Sequence, residues 1–122
     1  MTRRVLIVDD SATIRQQVRA ALSQAGFEVV EAVDGEDGIN KIRGDATLAA
    51  VICDINMPKK TGLELIEEIK GGGANSGVPI VMLTTEGQPA LVQRAKAAGA
   101  KGWIVKPFKP NLLVAALQKL TG

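Results

Sequence analysis

Four apolar runs in this chain end in residues that phosphate chemistry uses. The runs cover residues 5–8, 49–53, 80–83 and 103–105. The residues that follow them are Asp9, Asp10, Asp54, Thr84 and Lys106. In a parallel α/β sheet the carboxyl ends of the strands share one edge, and ligands bind there. We therefore expect three carboxylates, a hydroxyl group and an ammonium group to converge on one pocket.

These residue types predict a magnesium-dependent phosphoryl acceptor. Three carboxylates that meet cannot all ionise freely, so they retain a proton or recruit a cation. Oxygen ligands without histidine or cysteine suit Mg²⁺, which also takes up phosphate oxygens. A carboxylate between Mg²⁺ and the ammonium of Lys106 can attack phosphorus, because both cations neutralise charge on the transferring group. The expected product is an aspartyl phosphate, with Thr84 donating a hydrogen bond to a phosphoryl oxygen.

The elements that must position these residues alternate along the chain. Short runs of valine, isoleucine and leucine alternate with segments of helical period, which is typical of βαβ units around a parallel sheet. The apolar runs are continuous, as expected for strands covered on both faces. The predicted strands lie near residues 4–9, 28–32, 49–54, 79–84 and 102–105.

Five helical segments are predicted between and after these strands. The first has Ser11 as its N-cap and runs to Gly26. The fourth starts near Pro89 and ends at Gly99, which has the character of a C-cap. The second and third are predicted near 35–43 and 63–70, and the fifth follows Pro110. The residues of the fifth helix that are expected to face the core are Leu112, Leu113, Ala116, Leu117 and Leu120.

Length and composition limit the class of protein. We expect the 122 residues to form one domain, 1–122, without a separate output domain. The net charge of +2 gives no support for a nucleic-acid partner. No apolar segment reaches the ~20 residues of a membrane helix, and the four apolar residues after Arg4 are too few for the hydrophobic region of a signal peptide, so we expect a cytoplasmic protein. Cys53 is the single cysteine and is expected to be a buried, structural thiol.

The segment 71–77 is the one low-complexity stretch, with four of its seven residues glycine. It has the glycine content of a phosphate-binding loop, but it follows a helix and precedes a strand. That order puts it on the edge of the sheet opposite the predicted pocket. We therefore interpret it as a flexible spacer.

The chain resembles the receiver domains of bacterial response regulators, and among them the stand-alone CheY-like type. The resemblance spans essentially all of the sequence. Four motifs carry it, in order and at strand ends: Val8-Asp9-Asp10-Ser11; Asp54-Ile55-Asn56-Met57-Pro58 with Thr61-Gly62 after it; Thr84-Thr85-Glu86; and Val105-Lys106-Pro107-Phe108. The implied fold is α/β and flavodoxin-like, a doubly wound five-stranded parallel sheet of order 2-1-3-4-5 with five helices.

The resemblance implies a role for each residue of the pocket. Asp54 is the implied phosphoacceptor. Asp10 binds Mg²⁺ directly and Asp9 mainly through water, and the backbone carbonyl of Asn56 completes the protein ligands.

Thr84 is implied to bind the phosphoryl group and Lys106 to pair with it. The Lys106–Pro107 bond is expected to be cis. In this family the threonine moves inward and an aromatic residue of the fifth strand follows, which makes Thr84 and Trp103 the switch. A tryptophan that simply packs at the sheet edge is the alternative interpretation. Asn56 and Glu86 occupy the two positions that tune the lifetime of the phosphoryl group, and they suggest fairly rapid self-dephosphorylation.

The resemblance also implies partners. The donor is a sensor histidine kinase of the CheA-like type or a phosphotransfer protein, and it docks on the exposed side of the first helix, at Arg15, Gln16 and Arg19. The downstream protein target binds the face formed by helix 4, strand 5 and helix 5. Lys59 and Lys60 are either a solvated pair or a patch that steers an acidic partner. We expect a monomeric signalling protein that is not an enzyme.

Chemotaxis is the first expected role and a phosphorelay shuttle the second. A phosphatase of the haloacid-dehalogenase type is a less favoured alternative, because that family places its nucleophile after the first strand with an acid two positions later. Here Asn56 stands two positions after Asp54. A flavodoxin-like nucleotide or flavin carrier is also less favoured, since Asp9 and Asp10 repel a bare phosphate.

Overall fold

A computed structural model describes residues 3–57, 60–85 and 89–121. The strands are β1 (Arg4–Val8), β2 (Glu28–Ala32), β3 (Leu48–Asp54), β4 (Ile80–Thr85) and β5 (Gly102–Lys106). The helices are α1 (Ala12–Gln24), α2 (Gly35–Gly44), α3 (Gly62–Lys70), α4 (Pro89–Ala97) and α5 (Pro110–Thr121). All strand pairs are parallel and the order is β2-β1-β3-β4-β5. The predicted flavodoxin-like fold is confirmed, and each predicted strand end is correct to within one residue.

The apolar core lies on both faces of the sheet, which explains why the strand sequences are continuously apolar. Along β1, Val5 and Ile7 face α1 and α5, whereas Leu6 and Val8 face α2, α3 and α4. All four side chains are fully buried. Burying each such side chain stabilises the fold by roughly 1.5–3 kcal/mol. The two layers hold the central strands rigidly and set the level of their carboxyl ends.

Side-chain caps start three helices close to the ends of the strands. The hydroxyl of Ser11 accepts a hydrogen bond from the N–H of Ile14, as predicted for the first helix. Thr61 and Glu64 form a reciprocal capping box at the start of α3. Asp34 accepts from the N–H of residue 37 at the start of α2. These caps satisfy helix N–H groups and turn the chain sharply away from the edge where the predicted site lies.

Fewer residues of α5 face the core than the sequence predicts. Leu113 and Leu117, one helical turn apart, are fully buried. Leu112 is 59% exposed, so its predicted core position is wrong. Helix α5 packs against α1 and β3, and a residue about 100° away from the Leu113–Leu117 line faces away from this contact.

The segment 71–77 lies on the predicted edge but is not a flexible spacer. The side-chain amide of Asn75 donates to the carbonyl oxygens of Ile42 and Asp45, at 2.7 and 2.6 Å. The guanidinium of Arg43 donates to the carbonyl of Ala74 at 2.8 Å. Asn75 also has a φ of 63°, a left-handed conformation that asparagine tolerates better than most residues. The segment therefore caps the carboxyl end of α2.

We expect Asn75→Ala to lower the free energy of unfolding by about 1–3 kcal/mol, because it removes the side-chain donor that two carbonyl groups share and strains the backbone. Gly77→Ala is the matched control. A Cβ at Gly77 has no atom within 4 Å, so the change should stay within about 0.5 kcal/mol. Urea denaturation measures both. Equal stability of the two variants would contradict a capping role for Asn75.

Candidate functional site

Three of the predicted residues meet tightly at the carboxyl edge of the sheet. The ammonium nitrogen of Lys106 lies 3.1 Å from Oδ2 of Asp9 and 3.3 Å from Oδ1 of Asp54. Carboxylate oxygens of Asp9, Asp10 and Asp54 all lie within 4.8 Å of one another. Asp9 is fully buried, Asp54 is nearly so, and Asp10 is exposed. The carboxylates of Asp9 and Asp54 and the ammonium of Lys106 thus form the buried part of the pocket, and the carboxylate of Asp10 lies at its exposed opening.

Strand register brings these groups together from distant parts of the chain. Val8 pairs with Cys53, so Asp9 and Asp54 follow adjacent positions on neighbouring strands. Asp54 pairs with Leu83, directly before Thr84, and Thr85 pairs with Lys106. The carboxyl ends of β1, β3, β4 and β5 therefore lie side by side along one edge of the sheet, as the sequence predicts.

Backbone hydrogen bonds hold the two buried carboxylates in place. The N–H of Asp9 donates to the carbonyl of Ala32 on β2 at 3.1 Å, and its Oδ1 accepts from the N–H of Ser11 at 2.9 Å. Oδ1 of Asp54 accepts from the N–H of Asn56 at 3.4 Å. Each carboxylate is thus oriented by the loop that follows its strand.

The electrostatics of the pocket favour a cation. Burial, followed by the charge of Asp9, raises the pKa of Asp54 above its ordinary value, although Lys106 opposes this. Burial also opposes the charged form of Lys106, but Asp54 and Asp9 outweigh it, so the pKa of Lys106 is raised and the ammonium stays charged. One ammonium group faces three carboxylates, so a second positive charge would relieve their mutual repulsion.

The donor set fits a hard divalent cation. Asp9, Asp10 and Asp54 offer only oxygen ligands within a few ångströms of one another. Mg²⁺ prefers one or two carboxylates and retains several waters, which the exposed mouth at Asp10 allows. Asn56, whose backbone carbonyl is the remaining predicted ligand, lies exposed next to Asp54.

The two predicted switch residues lie on adjacent strands in different surroundings. Thr84 is buried at the end of β4, and its hydroxyl donates to the carbonyl of Thr85 at 3.2 Å. Trp103 on β5 is 45% exposed and points outward, with the ammonium of Lys96 5.0 Å from its ring centroid. An indole in this position is held at the surface by a cation–π contact.

Cys53 is a buried free thiol, and burial raises its pKa. The Lys106–Pro107 bond is cis. Lys60 pairs with Glu68 at 2.7 Å, so it is not a free cation at the pocket. The predictions for Lys59 and Glu86, together with Pro58, lie outside the described residues.

Arg15, near the pocket, is more buried than the sequence predicts. It was predicted to lie on the exposed side of the first helix with Gln16 and Arg19, both of which are exposed. Its side chain is only 14% exposed. It turns inward because its guanidinium donates to the carbonyl oxygen of Asp9 at 2.6 Å and pairs with Glu31. One signal in the sequence could have placed Arg15 correctly. It stands four residues after the N-cap Ser11, so it lies on the same face of the helix as Ser11, the residue that follows the acid pair.

The fold and the site together define a class of protein: a doubly wound α/β domain with an acidic pocket and a lysine at its carboxyl edge. The model of the response regulator receiver domain family matches residues 5–118. The chain belongs to this family.

Individual relatives are similar over their full length. The chemotaxis protein CheY1 of Helicobacter pylori is 38% identical, over 98% of this chain and 97% of the relative. A chemotaxis protein CheY homolog of Campylobacter jejuni is 36% identical over 98% of this chain and 92% of the relative. Among solved structures, the chemotaxis response regulator CheY4 of Vibrio cholerae has a TM-score of 0.90 and 42% identity, covering 98% of this chain and 99% of that one. Among the described residues, no helix is both long and apolar enough to span a membrane.

Proposed function

We propose that the chain is a single-domain response regulator that accepts a phosphoryl group on Asp54 from a phosphohistidine of a sensor kinase or phosphotransfer protein. The observation that carries the proposal is the position of the Lys106 ammonium, 3.3 Å from Asp54 and 3.1 Å from Asp9. An aspartate held between a lysine and two further carboxylates is suited to attack phosphorus and poorly suited to a purely structural role.

In this reaction an oxygen of Asp54 forms the new bond to phosphorus, and the bond from phosphorus to the donor nitrogen breaks with its electron pair leaving on the donor. Asp9, Asp10, Asp54 and the Asn56 carbonyl would hold Mg²⁺, which would neutralise charge on the phosphoryl oxygens. Lys106 supplies a second positive charge from the other side. The hydroxyl of Thr84 donates to one phosphoryl oxygen. The protein acts as a stoichiometric signal carrier and catalyses only its own phosphorylation and dephosphorylation.

Intact-mass measurement after incubation with acetyl phosphate tests this proposal. Acetyl phosphate needs no docking surface, so it isolates the chemistry of the pocket. We expect one phosphoryl adduct in the presence of Mg²⁺ and none in the presence of a chelator. A folded protein that shows no adduct with Mg²⁺ would refute the proposal, and steady turnover of a generic phosphate ester would instead favour the phosphatase alternative.

The proposed role is chemotaxis, with a phosphorelay shuttle as the second candidate. Full-length similarity to chemotaxis proteins of two organisms supports the first. The proposed surface for the downstream protein is the face of α4, β5 and α5, where Trp103, Val105 and Leu112 are exposed. These side chains border a groove of about 400 Å³ that also includes Phe108. Exposed apolar side chains clustered in this way are typical of a protein-binding surface.

The switch makes a specific spectroscopic prediction. Trp103 is the only tryptophan, so its fluorescence reports one site. We expect phosphorylation to shift its emission to the blue and to reduce quenching by acrylamide, because a ring that is 45% exposed moves inward. Thr84→Ala should retain the adduct and lose the shift. An unchanged spectrum in the phosphorylated wild type would mean that Trp103 is a packing residue and not part of the switch.

A further inference from the structure

The guanidinium of Arg15 joins the acid pocket to β2, the edge strand that pairs with β1. Its Nη1 donates to the backbone carbonyl oxygen of Asp9 at 2.6 Å. Its Nε donates to Oε1 of Glu31 on β2 at 3.0 Å. One planar group therefore bridges a backbone acceptor of the pocket and a carboxylate on the neighbouring strand.

Glu31 is itself held in position. Its second oxygen accepts from Nε of Arg19, one turn along α1, at 2.7 Å. On the strand, Glu31 pairs with Ile7 of β1, two residues before Asp9. Both carboxylate oxygens of Glu31 accept hydrogen bonds from arginines, and its backbone is part of the sheet. Glu31 therefore fixes the position of the Arg15 guanidinium.

The Asp9 carbonyl belongs to the peptide that links Asp9 and Asp10. A planar peptide cannot turn without moving the residues on both sides of it, and both of these residues project carboxylates into the pocket. A hydrogen bond that holds this carbonyl therefore also restrains the direction of two carboxylates. The Asp9 side chain has further contacts to Ser11 and Lys106, whereas the exposed Asp10 depends mainly on its backbone.

We infer that Arg15, anchored by Glu31, is a positioning residue that sets the affinity of the pocket for a divalent cation by orienting the Asp9–Asp10 peptide. This inference rests on the proposed function. Hydrogen-bond partners behind metal ligands commonly alter metal affinity by about 10–100-fold when they are removed.

Two simpler roles for Arg15 predict different results. If Arg15 acted only through its charge, its removal would strengthen cation binding, and a lysine in its place would change nothing. If it acted only as a docking residue for the phosphohistidine donor, Mg²⁺ binding and phosphorylation by acetyl phosphate would both be unaffected. A lysine keeps the charge but has no planar fork to span two acceptors, so Arg15→Lys separates the three roles.

Calorimetric titration of the full chain with MgCl₂ provides the test. We expect Arg15→Lys to bind Mg²⁺ about tenfold more weakly than the wild type. The rate of phosphorylation by acetyl phosphate should fall by about the same factor at low Mg²⁺ and recover at saturating Mg²⁺, because the defect lies in metal affinity. Arg43→Lys is the matched control. It alters guanidinium contacts to two backbone carbonyls at the opposite edge and should bind Mg²⁺ like the wild type.

Glu31→Gln provides a second variant if Arg15→Lys does not fold. It leaves Arg15 in place and weakens its anchor, so Mg²⁺ binding should weaken in the same direction. Wild-type affinity in folded Arg15→Lys, or tighter binding in Arg15→Ala, would overturn the inference while leaving the proposed function intact. A wild type that neither binds Mg²⁺ nor forms an adduct would overturn both.

Discussion

Replacing Asp54 with asparagine should abolish the phosphoryl adduct completely. The amide of asparagine is close to the carboxylate in size, so the contacts to Lys106 and to the N–H of Asn56 can persist through its oxygen. It is not a nucleophile toward phosphorus, because its nitrogen lone pair is delocalised into the carbonyl group. Intact mass after incubation with acetyl phosphate and Mg²⁺ should show an adduct in the wild type and none in Asp54→Asn.

Asp45→Asn is the control for this experiment. Asp45 is also an aspartate with a perturbed pKa, held at about 2 by hydrogen bonds from Thr47 and Arg4, but it lies at the opposite edge of the sheet. Its replacement should leave the adduct unchanged. An adduct in Asp54→Asn would instead assign the phosphoryl group to another residue of the pocket, with Asp9 and Asp10 the nearest candidates.

Asp54→Asn should also raise the free energy of unfolding, which is unusual for the replacement of a buried charged residue. Because the pKa of Asp54 is raised in the folded protein, the folded state binds its proton more tightly than the unfolded state. This contribution favours folding at low pH and is lost as the pH rises through the raised pKa. In the presence of a chelator, Asp54→Asn should therefore become more stable than the wild type as the pH increases above 3.8. Thermal unfolding across this range measures the difference, and Mg²⁺ should reduce it by stabilising only the wild type.

The sequence was sufficient to predict the fold and the meeting of the acidic residues because both depend on simple rules. Continuous apolar runs identify buried parallel strands, and the carboxyl ends of such strands share an edge. Asp9, Asp54 and Lys106 follow three different runs, so a parallel sheet places all three at one edge. The long side chain of Lys106 then spans the width of β4 to reach Asp9 and Asp54. No detail of side-chain packing was needed.

The residues that were misplaced are those whose environment depends on long-range side-chain contacts. Arg15 was predicted on the exposed side of α1, as part of the implied docking surface, but Glu31 and the Asp9 carbonyl draw it inward. Asn75 lies in a glycine-rich stretch, and its acceptors are 30 and 33 positions earlier in the chain. Leu112 has helical spacing from the core residues of α5, but it lies off the line of Leu113 and Leu117 that contacts the core, and it is exposed. Periodicity reports which face of an element is apolar and gives no information on where the neighbouring layer stops.

Gly62→Ala should cause the largest loss of stability among single-methyl additions near the pocket. Gly62 is the first residue of α3, and its N–H donates to the carbonyl of Ile55 at 3.1 Å. A Cβ added at Gly62 would overlap the carbonyl oxygen of Asp54 and lie 2.9 Å from the Cα of Ile55. Both obstacles are backbone atoms, which cannot rotate away as the end of a side chain can. We expect the free energy of unfolding to fall by about 3 kcal/mol.

Gly44→Ala distinguishes this steric effect from a general effect of alanine. Gly44 ends α2, and a Cβ there has no atom within 4 Å, so its replacement should change stability by no more than about 0.5 kcal/mol. Urea denaturation compares the two variants, with an unchanged slope showing that stability alone has changed. A Gly62→Ala protein as stable as Gly44→Ala would show that α3 can move away from Asp54 without cost. If α3 cannot move, the strand end yields instead, and Gly62→Ala should also slow phosphorylation at Asp54 in the fraction that remains folded.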